Sequence, residues 1–74
     1  MKEKAQKIVD EQIEIVRGLG QRICGNAKIL ETGISKKSRL QIYASMDVIL
    51  KDALLIKKAA EWAMMITETD AADA

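Results

Sequence analysis

Histidine, proline and phenylalanine are absent from this 74-residue chain, cysteine occurs once, and Tyr43 and Trp62 are its two aromatic residues. A lone Cys24 cannot close an internal disulfide, and without histidine a Cys/His metal site is excluded, so no metal and no cofactor is expected. No nucleophile–base pair can be assembled, and the carboxylates show no paired spacing on an apolar face. The sequence therefore points away from an enzyme, with no catalytic residues to assign. Few aromatics and no proline disfavour a β-sandwich or barrel. The single thiol suits a reducing compartment. No signal peptide or twenty-residue apolar run is read, so the expectation is a soluble cytoplasmic protein with no membrane partner.

What is present is helical periodicity. Val9, Ile13, Val16, Gly20, Ile23, Ala27 and Leu30 step by four and three, as one face of an amphipathic helix does. The pattern stops at Glu31-Thr32-Gly33-Ile34-Ser35, where Gly33 suits a left-handed C′ position. Ser35 or Ser38 can cap the next helix, and Ser38 with Gln41 three residues on has capping-box spacing. That helix runs through Ile42, Met46, Ile49, Ala53, Ile56, Ala60 and Ala63. The fold class read from this is all-α, an antiparallel two-helix hairpin spanning residues 1–68. Its helices cover about 3–32 and 36–67 around a turn at 32–36, and 69–74 form a frayed acidic tail.

The second helix is apolar over too much of its surface for a lone hairpin. Nineteen of its 27 residues from Leu40 to Ile66 are apolar. Val48, Leu55 and Trp62, spaced by seven, form a second line about 100° round from Ile49 and Ile56. Ile8, Ile15, Arg22 and Ile29 form a matching line on the first helix. A chain this short needs a staple, and self-association is the one left. The expectation is a homo-oligomer, a four-helix bundle or something larger, with Ile8, Ile15, Ile29, Val48, Asp52, Leu55 and Trp62 at its interface.

Two charges interrupt the apolar lines. Arg22 breaks the isoleucine line, and Asp52, with Ser45 two turns earlier, lies between the two lines of the second helix. They predict a buried or half-buried ion pair, Asp52 with Arg22 or Arg17, that fixes register. A second reading makes Arg17, Arg22 and Arg39 the donors of an anion site between subunits.

The segment VRGLGQRICG at residues 16–25 raises the question of a phosphate loop. Ile23 occupies the sixth place of GxGxxG, and Asn26 follows Gly25 where a Walker loop needs lysine, so neither motif is present. A kink near Gly18–Gly20 and close helix packing at Gly20 remain open. Gly18 and Gly25, seven apart on the face of Lys7, Glu11 and Glu14, suggest close approach by a neighbouring subunit or a ligand. Met46, Met64 and Met65 read as core fillers, Cys24 as a small hydrophobe, and Trp62 as a bundle-end plug or an interface anchor.

Charge is uneven along the chain. Residues 36–60 hold Lys36, Lys37, Arg39, Lys51, Lys57 and Lys58 against Asp47 and Asp52, a balance of +4; residues 61–74 stand at −4. Neither compels a nucleic-acid partner, although the basic second helix keeps an RNA-binding regulator among the readings.

The architecture resembles the small plasmid copy-number RNA-binding proteins, dimers of two-helix hairpins. Val16-Arg17-Gly18-Leu19-Gly20-Gln21-Arg22-Ile23, followed by Arg39, Ala44, Asp47 and Lys57, resembles the phage anti-defence hairpins that sequester cyclic nucleotide signals. That resemblance spans about residues 13–59. It implies oligomers that hold a phosphate-bearing messenger between hairpins, with Arg17, Arg22 and Arg39 near the phosphates; the Gly18 and Gly25 face read from the residues themselves joins them as a candidate ligand contact. From the residues themselves, the leading expectation is a non-catalytic interaction or regulatory module that binds itself and possesses a surface for a protein partner.

Overall fold

The structure, a computed structural model, describes the backbone of residues 2–73 and the side chains of residues 2–69. Two helices, α1 (Glu3–Ser35) and α2 (Arg39–Asp73), form an antiparallel hairpin. It is a rod whose Cα atoms extend over 55 × 14 × 11 Å. The helices form because good helix formers (alanine, leucine, lysine, glutamate, glutamine, arginine) are frequent along the chain and no proline interrupts them. Three glycines, Gly18, Gly20 and Gly25, lie inside α1, which continues through them.

Four lines of residues spaced by seven make the seam. On α1 they are Val9–Val16–Ile23–Leu30 and Ala5–Gln12–Leu19–Asn26–Gly33. On α2 they are Ile42–Ile49–Ile56–Ala63 and Ser45–Asp52–Ala59–Ile66. Every one of these seventeen residues is buried or half-buried, which is the 3.5-residue repeat of an antiparallel coiled coil.

This differs from the periodicity read from sequence in one respect. Ile42, Ile49, Ile56 and Ala63 do face α1, but the flanking line is Ser45–Asp52–Ala59 and not Met46–Ala53–Ala60, which are exposed. On α1, Ile13 and Ala27 are likewise exposed, replaced by Gln12, Leu19 and Asn26. Steps of four-then-three and three-then-four share half their positions. Where apolar residues surround a helix, hydropathy cannot choose between them. Met46 therefore fills no seam gap; Met46, Met64 and Met65 are all exposed.

The turn also departs from expectation. Gly33 is helical and no glycine has positive φ; the left-handed residue is Lys37, with φ 55°. The Lys37 amide donates to the Ile34 carbonyl at 3.1 Å and the Ser38 amide to the Gly33 carbonyl at 2.9 Å. That bond pair is a Schellman motif, with Lys36 as C-cap and Lys37 as C′. Gly33 has a different job: a Cβ there would lie 3.1 Å from Gln41 Cγ and 3.3 Å from the Ile42 amide nitrogen. Of the four glycines, Gly33 is the one that α2 approaches this closely.

Of the two candidate caps it is Ser38 that begins α2, its Oγ accepting from the Gln41 amide at 3.3 Å, while Ser35 ends α1. Gln41 does not complete a capping box. Its Nε2 instead donates across the seam to the Ile29 carbonyl at 2.9 Å. At the far end, the loss of apolar period after Ile66 does not end the helix, which continues to Asp73. Thr67 and Thr69 tuck their hydroxyls onto the Ala63 and Met65 carbonyls, and the alanine- and acid-rich tail contains no helix breaker. Ala74 of the expected frayed segment lies outside the described residues.

Candidate interaction surface

An ion pair lies in the middle of the seam. Asp52, in the middle of α2, has no solvent-exposed surface, and Arg22 reaches it from the side of α1. Arg22 Nε donates to Oδ2 at 2.7 Å and Nη2 to Oδ1 at 2.5 Å. The fork holds the carboxyl of Asp52 below its ordinary pKa, against the upward pull of burial, and raises that of the guanidinium. Arg22 itself stays 59% exposed, a lid over a buried acid. This is the Asp52–Arg22 pair, one of the two pairings the sequence left open; Arg17 instead bonds Glu14 on its own helix.

Ser45, one heptad before Asp52, is also buried and donates its Oγ to the Gln41 carbonyl at 2.7 Å. Among the described residues no buried side-chain nitrogen or oxygen lacks a partner. The seam thus satisfies its polar groups completely.

The cross-helix bonds of Arg22 and Gln41 also establish which sides of the helices belong together. Gln41 precedes Val48, Leu55 and Trp62 by steps of seven, and it bonds Ile29. Arg22, on the Ile8–Ile15–Ile29 line, bonds α2 as well. The two apolar lines expected to form an interface therefore flank the seam on one side of the rod. There Ile15 is 46%, Ile29 48%, Leu55 45% and Trp62 41% exposed, with Ile8 and Val48 half-buried. Asp52 is not part of this surface, because the hairpin itself encloses it. Trp62 is on the surface and not a plug. It borders a shallow depression with Lys58, Glu61, Met64 and Met65.

The opposite flank carries Ile13 and Ile34 of α1 with Tyr43, Met46 and Leu50 of α2, all exposed. Gly20 and Ala27 lie on it too. Nothing approaches Gly20 within 4 Å, so it is no close-packing position of the hairpin. The same is true of Gly18 and Gly25 on the outer face.

Within a single hairpin the three arginines expected to hold an anion between subunits are not brought together. Arg17 and Arg22 point about 140° apart at 100° per residue, and each is engaged by a carboxylate. Arg39, at the turn, lies roughly 20 Å along the rod from Arg22 at 1.5 Å per residue. The basic side chains of α2 are dispersed as well; Lys51 pairs with Asp47 and Lys57 with Glu61, each at 2.9 Å. Cys24 is an exposed free thiol. Among the described residues there is no group of three or more His, Cys, Asp or Glu suited to a metal, and no helix long and apolar enough to cross a membrane.

Comparison of the chain with protein families, with curated proteins and with solved structures found no match in any of the three.

Proposed function

We propose that this protein is a non-catalytic module that works as a homo-oligomer, associating through the flank built on Ile8, Ile15, Ile29, Val48, Leu55 and Trp62. What carries the reading is the allocation of side chains. Among the described residues the hairpin fully buries only small or polar ones, Gly33, Ser45, Asp52 and Ala59; its seam aliphatics are half-buried, and Ile13, Ile15, Ile29, Leu50, Leu54 and Leu55 lie outside. Ala59 is the sole buried apolar side chain among the described residues. A core of that kind supplies little of the apolar burial on which stability depends.

Surface area points the same way. A folded monomer of this mass ordinarily exposes about 4,500 Å². The hairpin exposes 5704 Å². The excess, about 1,200 Å², exceeds the roughly 800 Å² that each partner contributes to a standard interface. Because apolar residues line both flanks, a dimer through one flank leaves the other open to a further copy or to a different protein.

The experiment is sedimentation equilibrium at micromolar concentration together with native mass spectrometry. A stable dimer or larger oligomer without additional mass is expected. A folded monomer would overturn the proposal. An oligomer retaining a mass of nucleotide size would replace the interaction module with a sequestering one. RNA binding that weakens steeply with salt would make it a nucleic-acid regulator.

A further inference from the structure

We infer that two copies associate through this flank with their hairpins antiparallel, the turn of one over the open end of the other, on a two-fold axis at Leu55. The inference rests on the self-association proposed above and specifies its geometry.

Register provides the first support. Arg22 bonds Asp52, and Gly33 abuts Gln41; both pairs of numbers add to 74, so each α2 residue can be assigned the level of its α1 counterpart. In α1 numbering the flank then reads Ile8, Trp62 at 12, Ile15, Leu55 at 19, Arg22, Val48 at 26 and Ile29. The list is centred on Leu55 and reverses onto itself. Turning one copy end over end lays Ile8 against Ile29, Trp62 against Val48 and Ile15 against the Arg22 stem, with the two Leu55 side chains meeting on the axis. Such self-complementarity is what an isologous contact demands.

Charge provides the second. The turn half of the rod, residues 20–56, holds six cations against three carboxylates, net +3. The open half, residues 2–19 with 57–73, holds six cations against eight carboxylates, net −2. Antiparallel copies place opposite ends together. Parallel copies would stack +3 on +3 and set the two Arg22 guanidiniums at one level, which the antiparallel arrangement separates by roughly 10 Å along the rod. Each Arg22 charge meanwhile remains neutralised by its own Asp52, so an apolar surface can close over its stem.

Pulsed electron–electron spin resonance on the full chain tests the geometry. In a Cys24→Ser background, a nitroxide at Lys36→Cys marks the turn and one at Glu3→Cys marks the open end. Antiparallel copies give a turn-to-turn distance of roughly 55 Å at 1.5 Å per residue. A mixture of the two labelled chains gives a distance under about 30 Å, because helices pack 8–10 Å apart. A turn-to-turn distance under about 30 Å overturns the antiparallel arrangement and leaves self-association standing. Absence of any dipolar signal at concentrations where circular dichroism reports full helix overturns both.

Discussion

The carboxylate of Asp52 is sealed inside the hairpin beneath the Arg22 guanidinium, which reaches it from the other helix through Nε and Nη2. A buried pair of this kind stabilises chiefly against its own disruption. Removing one partner strands the other, whereas replacing both with apolar groups is often neutral or favourable. Arg22→Leu should therefore lower the melting temperature by more than about 10 °C. The double variant Arg22→Leu/Asp52→Leu should recover most of that loss. Thermal unfolding of the three proteins measures it; a double variant no better than Arg22→Leu would show that the pair is worth more than its desolvation cost.

The pair also predicts the direction of acid sensitivity. Its guanidinium partner depresses the folded-state pKa of Asp52, so folding favours the ionised form. The stabilisation is complete above the unfolded value of about 3.9 and is lost as pH falls through the folded one. The melting temperature of the wild type minus that of Asp52→Asn should be flat from neutrality to about pH 5 and should shrink below about pH 4. In Arg22→Leu the sign reverses. Burial alone then raises the Asp52 pKa, and acidification to about pH 5 should raise stability.

Lys37 occupies the left-handed position that glycine fills in most Schellman turns. A lysine there carries backbone strain that glycine lacks. Lys37→Gly should stabilise the fold by about 0.5–1 kcal/mol, net of the added freedom of the unfolded chain. A chemical-denaturation midpoint lower than that of the wild type would mean that the Lys37 side chain contributes something the turn geometry does not.

The glycines of α1 divide into two classes by what surrounds them. Gly33→Ala should destabilise, despite alanine's better helix propensity, because the new Cβ meets Gln41 and the Ile42 backbone at 3.1–3.3 Å. Gly18→Ala and Gly25→Ala meet nothing in the hairpin and should each stabilise by about 0.8–1 kcal/mol. Denaturant titration distinguishes them. A loss of stability or of oligomer at Gly18 or Gly25 would locate a second copy or a ligand on that outer face.

How much of this the sequence carries can be traced residue by residue. Helix number and antiparallel order are legible, and the cap of α2 is legible as Ser35 or Ser38, because caps and long apolar periods are local signals. The Arg22–Asp52 pairing is legible as one of two options, since two charges on otherwise apolar lines must find opposite charge. The rotation of α2 is not legible. With apolar residues on three sides, the choice of Ser45–Asp52–Ala59 for the seam depends on how closely the backbones approach at Gly33 and on the fork at Asp52, and both are tertiary. The left-handed residue was hidden for a similar reason: α1 runs on past Gly33, whose hydrogen side chain is needed for the crossing. The dispersal of Arg17, Arg22 and Arg39 follows from helical rise and angle once the register is known.

Leu55 provides the most direct test of the outward flank. It is 45% exposed in the single hairpin, so glutamate at this position costs the isolated chain little and can remain hydrated. In the assembly the same substitution buries a charge, and on a two-fold axis it buries two like charges against one another. Leu55→Glu should weaken association by on the order of 100-fold or more. Gln21→Glu, a similar charge on the polar outer face of α1, should change it by less than about twofold. Because a partner that binds only the folded chain stabilises it by mass action, the wild-type melting temperature should rise with protein concentration. That dependence should shift to higher concentrations in Leu55→Glu and remain unchanged in Gln21→Glu. Sedimentation and concentration-dependent melting together provide the measurement. Identical behaviour of Leu55→Glu and the wild type would move the contact to the opposite flank, where Ile13, Tyr43 and Leu50 would become the next positions to charge.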